Sequence, residues 1–175
     1  SCGMAIRFPI EDLRPLGRSA RGVNSMKLRA ADTIIGCDIV PRNYDADLLV
    51  VTSDGFGKRT KLSEFRTQNR GGIGLIATKF KSNMSRLVAL TIVEEKDEIM
   101  MVTANGIVTR IKAGDISCQG RPATGVRAQN LTDNDTVVSV NKIVNTDKDD
   151  DGDTIPSGGC SIEDMTEGEQ TTLTE

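Results

Sequence analysis

The chain has no histidine and no tryptophan, and only one tyrosine and four phenylalanines in 175 residues. Without histidine, no serine or cysteine has its usual general base, so triad-type nucleophilic catalysis finds no support. The single tyrosine, Tyr44, sits in Arg42-Asn43-Tyr44-Asp45, which does not resemble a nucleophile site. Scarce aromatics also remove the base-stacking platforms on which single-strand binders rely. The four cysteines (Cys2, Cys37, Cys118, Cys160) are dispersed and form no CxxC pair. That excludes a zinc ribbon and a disulfide framework, and fits a reducing cytoplasm. There is no signal-peptide pattern and no apolar run long enough to span a bilayer. No long helical periodicity appears, and neither a recognition helix nor a zinc finger is evident to read bases.

What is present is a repeat of 51 to 52 residues, counted from Gly3, Gly55 and Gly106. Four residues on stands an arginine (Arg7, Arg59, Arg110), and nine on an acid (Asp12, Glu64, Asp115). Ten on is an apolar residue (Leu13, Phe65, Ile116), and fifteen on a second arginine (Arg18, Arg70, Arg121). A glycine closes the frame nineteen on (Gly22, Gly74, Gly125). A period of this length means a solenoid, a propeller or an array of similar units.

Each unit reads as short strands. Apolar runs at 48–52 and 99–103 enter Asp54-Gly55 and Asn105-Gly106, which are hairpin signals because glycine takes the positive φ of a tight turn. The following strand alternates: Met4, Ile6, Phe8 and Ile10 share one face. In the second repeat Lys58 and Thr60 fall on that apolar face. A polar Arg- and Gly-rich loop follows, then third strands at Gly74–Phe80 and Gly125–Ala128. Fourth strands are expected at Thr33–Val40, Leu87–Val93 and Val137–Val140. The fold class expected is all-β, a propeller-like set of about three four-stranded blades over residues 1–144, with repeats starting near 3, 48 and 99. The first repeat has only Ser1 and Cys2 before its glycine, so the chain reads as a fragment of a longer repeat protein.

The charge is segregated. Residues 1–144 hold 21 basic and 15 acidic side chains, whereas 145–175 hold ten acids and one lysine. A basic body with an acidic tail suggests a polyanion partner and a tail that competes with it. The tail, 145–175, is expected to be disordered. Its Asp147–Gly152 run matches half a calcium loop, but the twelfth position is Gly158 where a bidentate glutamate is needed, so it reads as solvated acid.

The repeated loops (Gly17–Gly22, Gln68–Gly74, Gly120–Gly125) combine small residues, which let a backbone approach a phosphate, with arginine forks that bind one. The basic residues expected to contact duplex DNA are Arg18, Arg21, Lys58, Arg59, Lys61, Arg66, Arg70, Arg110, Lys112, Arg121 and Arg127. The competing reading is that the arginines pair with the acid column across each blade.

The segment Val51–Thr60, running through Ser63-Glu64-Phe65-Arg66 to Gln68–Gly74, resembles a blade of the C-terminal domain of the DNA gyrase A protein. Ile6-Arg7-Phe8 with Gly17-Arg18, and Met101–Gly106 with Gly125-Val126-Arg127, look like neighbouring blades, and the acidic ending is similar too. The resemblance implies a β-pinwheel whose blades exchange strands. It implies duplex DNA wrapped on a basic rim so that ATP-driven strand passage introduces negative supercoils. The chain would be the last three blades and tail of such a protein. Its partners would be double-stranded DNA, the rest of gyrase A, and gyrase B in an assembly of two A and two B subunits, with no membrane contact. It would be bacterial, cytoplasmic and associated with the nucleoid. The chain would carry no catalytic residue, metal site or cofactor of its own, the ATP and Mg sites lying elsewhere in the holoenzyme. The family's diagnostic heptad, Gln-Arg-Arg-Gly-Gly-Lys-Gly, is only approximated by Gln68–Gly74, where Asn69 and Ile73 replace two bases. Related readings are the C-terminal DNA-binding domain of topoisomerase IV and, in another class, a propeller-type protein-interaction module.

Overall fold

The structure is a computed structural model and describes residues 1–143. The acidic segment 145–175 and its calcium-like run lie outside the described residues. Nine strands appear: β1 (Met4–Ala5), β2 (Asp47–Thr52), β3 (Phe56–Lys61), β4 (Leu75–Ile76), β5 (Leu87–Val93), β6 (Glu98–Thr103), β7 (Val108–Lys112), β8 (Val126–Arg127) and β9 (Val137–Ile143). Three single 3₁₀ turns, Ile10–Asp12, Leu62–Glu64 and Ala113–Asp115, occupy the same place in each repeat.

The two predicted hairpins form. β2 pairs antiparallel with β3, and β6 with β7. Gly55 and Gly106 close the turns by donating to the Thr52 and Thr103 carbonyls at 3.1 and 3.0 Å. Both adopt positive φ, 79° and 82°, as does Gly3. The closing strands β5 and β9 flank β2 and β6 on their other sides.

Strand exchange links the repeats. The sheet order β5-β2-β3-β8 takes its fourth strand from the third repeat, and β1 of the first repeat pairs with β4 of the second. This is the pinwheel arrangement expected from the family resemblance. The sheet β7-β6-β9 has no fourth strand among the described residues.

β2 is buried along its whole length, because its sheet lies between two apolar layers. Leu49 and Val51 pack with Ile99, Met101, Ile116 and Val137. Leu48 and Val50, pointing the other way, pack with Leu62, Phe65, Ala77 and Leu87, and Ala5, Ile35 and Val40 of the first repeat pack against this cluster. Alternation of side chains across a strand therefore welds one repeat to both neighbours. Removing each such Val or Leu side chain from water contributes about 1.5–3 kcal/mol.

Three expectations change. The alternating strand of the first repeat, expected from Met4 to Ile10, shortens to Met4–Ala5, and Ile10 opens a 3₁₀ turn. Thr33–Val40 forms no strand. A closing strand pairs with the run before its own repeat's glycine, as β5 does with β2, and only Ser1 and Cys2 precede Gly3 in this chain. The third strands shrink to the two-residue β4 and β8, since the rest of each segment crosses between sheets.

Candidate nucleic-acid interface

The arginine loops are held by a junction that recurs between successive repeats. At the first junction Gln68 N–H donates to the Arg7 carbonyl (2.8 Å), and Ala77 N–H to the Gly3 carbonyl (2.8 Å). At the second, Gln119 N–H donates to Arg59 (2.8 Å) and Ala128 N–H to Gly55 (2.9 Å). The acid column completes the set: Asp12 accepts from the Arg70 backbone N–H at 3.4 Å, and Glu64 from that of Arg121 at 3.1 Å. So the acids do hold the loop arginines, but by the main chain and from the preceding repeat. Gly74 and Gly125 have φ of 84° and 97°, and a Cβ on either would lie 2.5 Å from the carbonyl oxygen of Ala5 or Gly57. Only glycine admits that backbone approach.

With its backbone fixed, each of these two loop arginines is half-buried. Arg70 donates from Nη1 to the Asn24 carbonyl (2.6 Å) and from Nε to that of Asp12 (3.2 Å). The Arg121 guanidinium lies 6.0 Å from the Phe65 ring centre and donates to the Ile76 carbonyl at 3.3 Å. Neither side chain has a carboxylate partner among the described residues, so each keeps a net positive charge beside carbonyl dipoles.

Two of the sequence-predicted contacts are corrected by burial. Lys58 is fully buried, and its ammonium donates to the carbonyls of Gly120 (2.7 Å) and Arg121 (2.5 Å). Burial pushes its pKa down to about 8, with Glu64 opposing and Arg121 adding to the fall. Arg59 is buried as well, donating from Nη1 to Asp47 at 2.6 Å and from Nε to the Ile116 carbonyl at 2.8 Å. Both cations knit β3 to the next repeat's loop and cannot reach a phosphate. Their place was signalled in part: Lys58 lies on the apolar face of the alternating strand.

The remaining predicted residues are at the surface. Lys61 is half exposed and paired with Asp47 at 3.1 Å, which raises its pKa. Arg110 is exposed and paired with Glu98, Nε to Oε2 2.9 Å. The acids that pair with this arginine column are thus Asp47 and Glu98, one strand earlier, and not the column nine residues after the glycine. Arg18, Arg21, Arg66, Lys112 and Arg127 are exposed without a carboxylate partner among the described residues. Of the 21 basic side chains in 1–144, six pair with a carboxylate among the described residues: Arg42, Arg59, Lys61, Lys96, Arg110 and Lys142.

Lys81, not among the residues expected to contact DNA, lies 5.0 Å from the Phe56 ring centre, and Arg127 lies 5.3 Å from it. Lys81 falls outside the repeated columns, so no periodic signal marked it. Tyr44 donates its hydroxyl to Glu94, which accounts for its raised pKa.

Comparison with known proteins places these features in context. A family model described as the DNA gyrase C-terminal domain, β-propeller, matches residues 1–41, 46–94 and 97–144, one segment per repeat. The gyrase A protein of Synechocystis sp. is 37% identical over 200 aligned positions, covering 96% of this chain and 22% of that protein. The gyrase A protein of Staphylococcus epidermidis is 41% identical over 138 positions, covering 79% of this chain and 16% of that protein. The chain thus spans about a fifth of the curated relatives it matches. Among solved structures, a DNA gyrase A C-terminal domain superposes with a TM-score of 0.72 at 33% identity, covering 82% of this chain and 48% of that one. The C-terminal domain of a DNA topoisomerase IV superposes with a TM-score of 0.76 at 28% identity, covering 81% and 44%.

Proposed function

The chain belongs to the DNA gyrase C-terminal domain family, and from that premise we propose that it binds and wraps duplex DNA as part of a gyrase A protein. The observation that carries this reading is the once-per-repeat arginine loop. Arg70 and Arg121 are anchored through their backbones, close to glycine, and carry charge that no carboxylate neutralises among the described residues. Exposed Arg18, Arg21, Arg66, Lys112 and Arg127 extend the positive surface. Regularly stepped cations suit regularly stepped phosphates. Affinity then comes from counterion release and DNA bending, with little base reading.

In this reading the wrap presents one DNA segment to a strand-passage gate with a fixed hand, and ATP-driven passage introduces negative supercoils. The gate, its ATP and Mg sites and gyrase B lie outside this chain, in an assembly of two A and two B subunits at the bacterial nucleoid. The acidic tail competes with DNA for the basic body. Topoisomerase IV is the nearest alternative, supported by the TM-score of 0.76. The gyrase reading is favoured by the higher identity of the gyrase domain, 33% against 28%, and by the curated gyrase relatives.

The test is duplex binding by fluorescence anisotropy across a salt series, on 1–175 beside 1–144. A steep loss of affinity with salt, indifferent to sequence and weaker in the longer chain, supports a basic rim restrained by the tail. Arg70→Ala and Arg121→Ala should each weaken binding to any sequence and reduce the salt slope by about 1. Absence of binding at low salt would overturn the proposal in favour of an interaction module.

A further inference from the structure

The buried ammonium of Lys58 touches no phosphate, yet it ends on the loop that presents Arg121. Its junction, between the second and third repeats, is formed on both sides by described residues. There β3 side chains satisfy the backbone of the loop one carbonyl after another. Arg59 donates to Gly114 (3.4 Å) and Ile116 (2.8 Å), Thr60 Oγ1 to Gln119 (2.8 Å), and Lys58 Nζ to Gly120 (2.7 Å) and Arg121 (2.5 Å). Glu64 accepts from the Arg121 N–H at 3.1 Å, so the main chain of Arg121 is held at both its N–H and its carbonyl.

The first junction is built differently. Ile6 stands in the Lys58 column there, and Thr109 in the third repeat. The carbonyls of Asn69 and Arg70, which match those of Gly120 and Arg121, accept no hydrogen bond among the described residues. Arg70 is fixed instead by its own guanidinium, on the Asn24 and Asp12 carbonyls. The Arg121 guanidinium has a single carbonyl, at 3.3 Å. Arg70 is thus held by its tip and Arg121 by its root. Burying an ammonium is expensive unless polar groups hold it. An apolar side chain at 58 would fill the same space without that cost. What the ammonium adds is a grip on two consecutive carbonyls.

We propose that Lys58 is a positioning residue for DNA binding: it grips the Gly120 and Arg121 carbonyls and so aims the Arg121 guanidinium at phosphate. This rests on the DNA reading above and makes the two loop arginines unequal. Arg121 depends on Lys58, and Arg70 does not.

The charged groups acting on the ammonium are Glu64, on the 3₁₀ turn after β3, and Arg121 itself. β2 places Val50 opposite Lys58, and Gly125, just before β8, abuts its Cβ. Burial is the main cause of the lowered pKa, about 8. Loss of the proton removes the charge and one of three donors, so the grip weakens as pH rises through about 8. Folding responds in the opposite sense, because a lysine pKa lowered in the folded state gives stability that grows across that window. The opposite signs separate aiming from packing.

A double-mutant cycle read by fluorescence anisotropy, on the 175-residue chain with a duplex oligonucleotide, tests the proposal. Lys58→Met should weaken binding by about threefold or more, and in the Arg121→Ala background it should change nothing, a coupling within the range for residues in contact. In the Arg70→Ala background the Lys58→Met loss should persist in full. Should Lys58→Met not fold, a pH series on the parent replaces it. Affinity should fall between about pH 7 and 9.5 in the parent and stay level in Arg121→Ala, while urea unfolding shows the parent gaining stability. Losses from Lys58→Met and Arg121→Ala that simply add, or a fall with pH that survives Arg121→Ala, would overturn the proposal and leave the DNA reading standing. A parent that does not bind the duplex would overturn both.

Discussion

β3 and β7 are the same strand in successive repeats, yet they live in different surroundings. Each carries an arginine four residues after its glycine, and each arginine reaches a carboxylate twelve residues earlier, Asp47 or Glu98. The Arg59 side chain is 6% exposed and that of Arg110 is 61% exposed. The difference is not in the strands. It comes from the run 116–129, which lies over β3 and has no counterpart over β7 among the described residues. The repeat dictates the pair, and the next repeat decides what the pair is worth.

The largest test of that contrast is Arg59→Met. It leaves Asp47, 3% exposed, with one partner at the surface, and strips hydrogen bonds from the Ile116 and Gly114 carbonyls. Urea unfolding should show a loss of about 3–5 kcal/mol. Arg110→Met removes the matching pair at the surface and should cost at most about 1 kcal/mol. Equal losses would mean that the covering loop is energetically idle.

A pH series on Lys58 sharpens the comparison from inside the covered strand. Its folded pKa, about 8, lies below the ordinary lysine value, so between about pH 8 and 10.5 the unfolded chain binds more protons. Raising pH through that window therefore stabilises the fold, by up to on the order of 3 kcal/mol for the full shift. The stability of Lys58→Met relative to the parent should be most favourable at pH 7.5 and decline by pH 10. A difference flat with pH would mean the ammonium is as well accommodated in the fold as in water.

Glycine at the junction gives a smaller contrast. Gly125→Ala carries about 1–2 kcal/mol of left-handed backbone strain and also drives a Cβ toward the Gly57 oxygen, displacing β8. Gly22→Ala meets no neighbour in the isolated chain and should show the backbone cost alone. Thermal melts should rank Gly125→Ala well below Gly22→Ala. The smallest effect on stability is expected for Arg121→Ala, since its guanidinium makes one carbonyl contact at 3.3 Å and a distant ring contact. Its consequence belongs to the DNA salt slope.

Most of the strand framework was legible, because hairpin turns and alternation are local. The turns at Gly55 and Gly106 and the strands around them follow from residues a few positions apart. The identity of partners was not. Columns show which positions are equivalent, not which repeat each one touches. Glu64 holds Arg121, 57 residues away, rather than Arg59 of its own repeat. Lys58 was readable as an inward residue from its alternation, but its charge suggested a phosphate contact, and only the overlying Gly120–Arg121 carbonyls show how a buried ammonium is satisfied. Thr33–Val40 has the composition of a strand and no ladder to join. The loop arginines were found as a column, while the backbone clamp that aims them was invisible without coordinates.

The exchange of β8 into the sheet of β2 and β3 also sets a timetable. That sheet cannot close until residue 127 exists, so a growing chain always carries one unfinished repeat with a bare edge. At a synthesis rate of about 5–20 residues per second, one further repeat takes several seconds to arrive. Throughout that interval the β3 edge lacks its β8 partner and stands open to other strands. The requirement that an incoming loop present a left-handed glycine and a matched arginine backbone then acts as a selectivity filter during synthesis. It admits the next repeat of the same chain and turns away strands that are merely apolar.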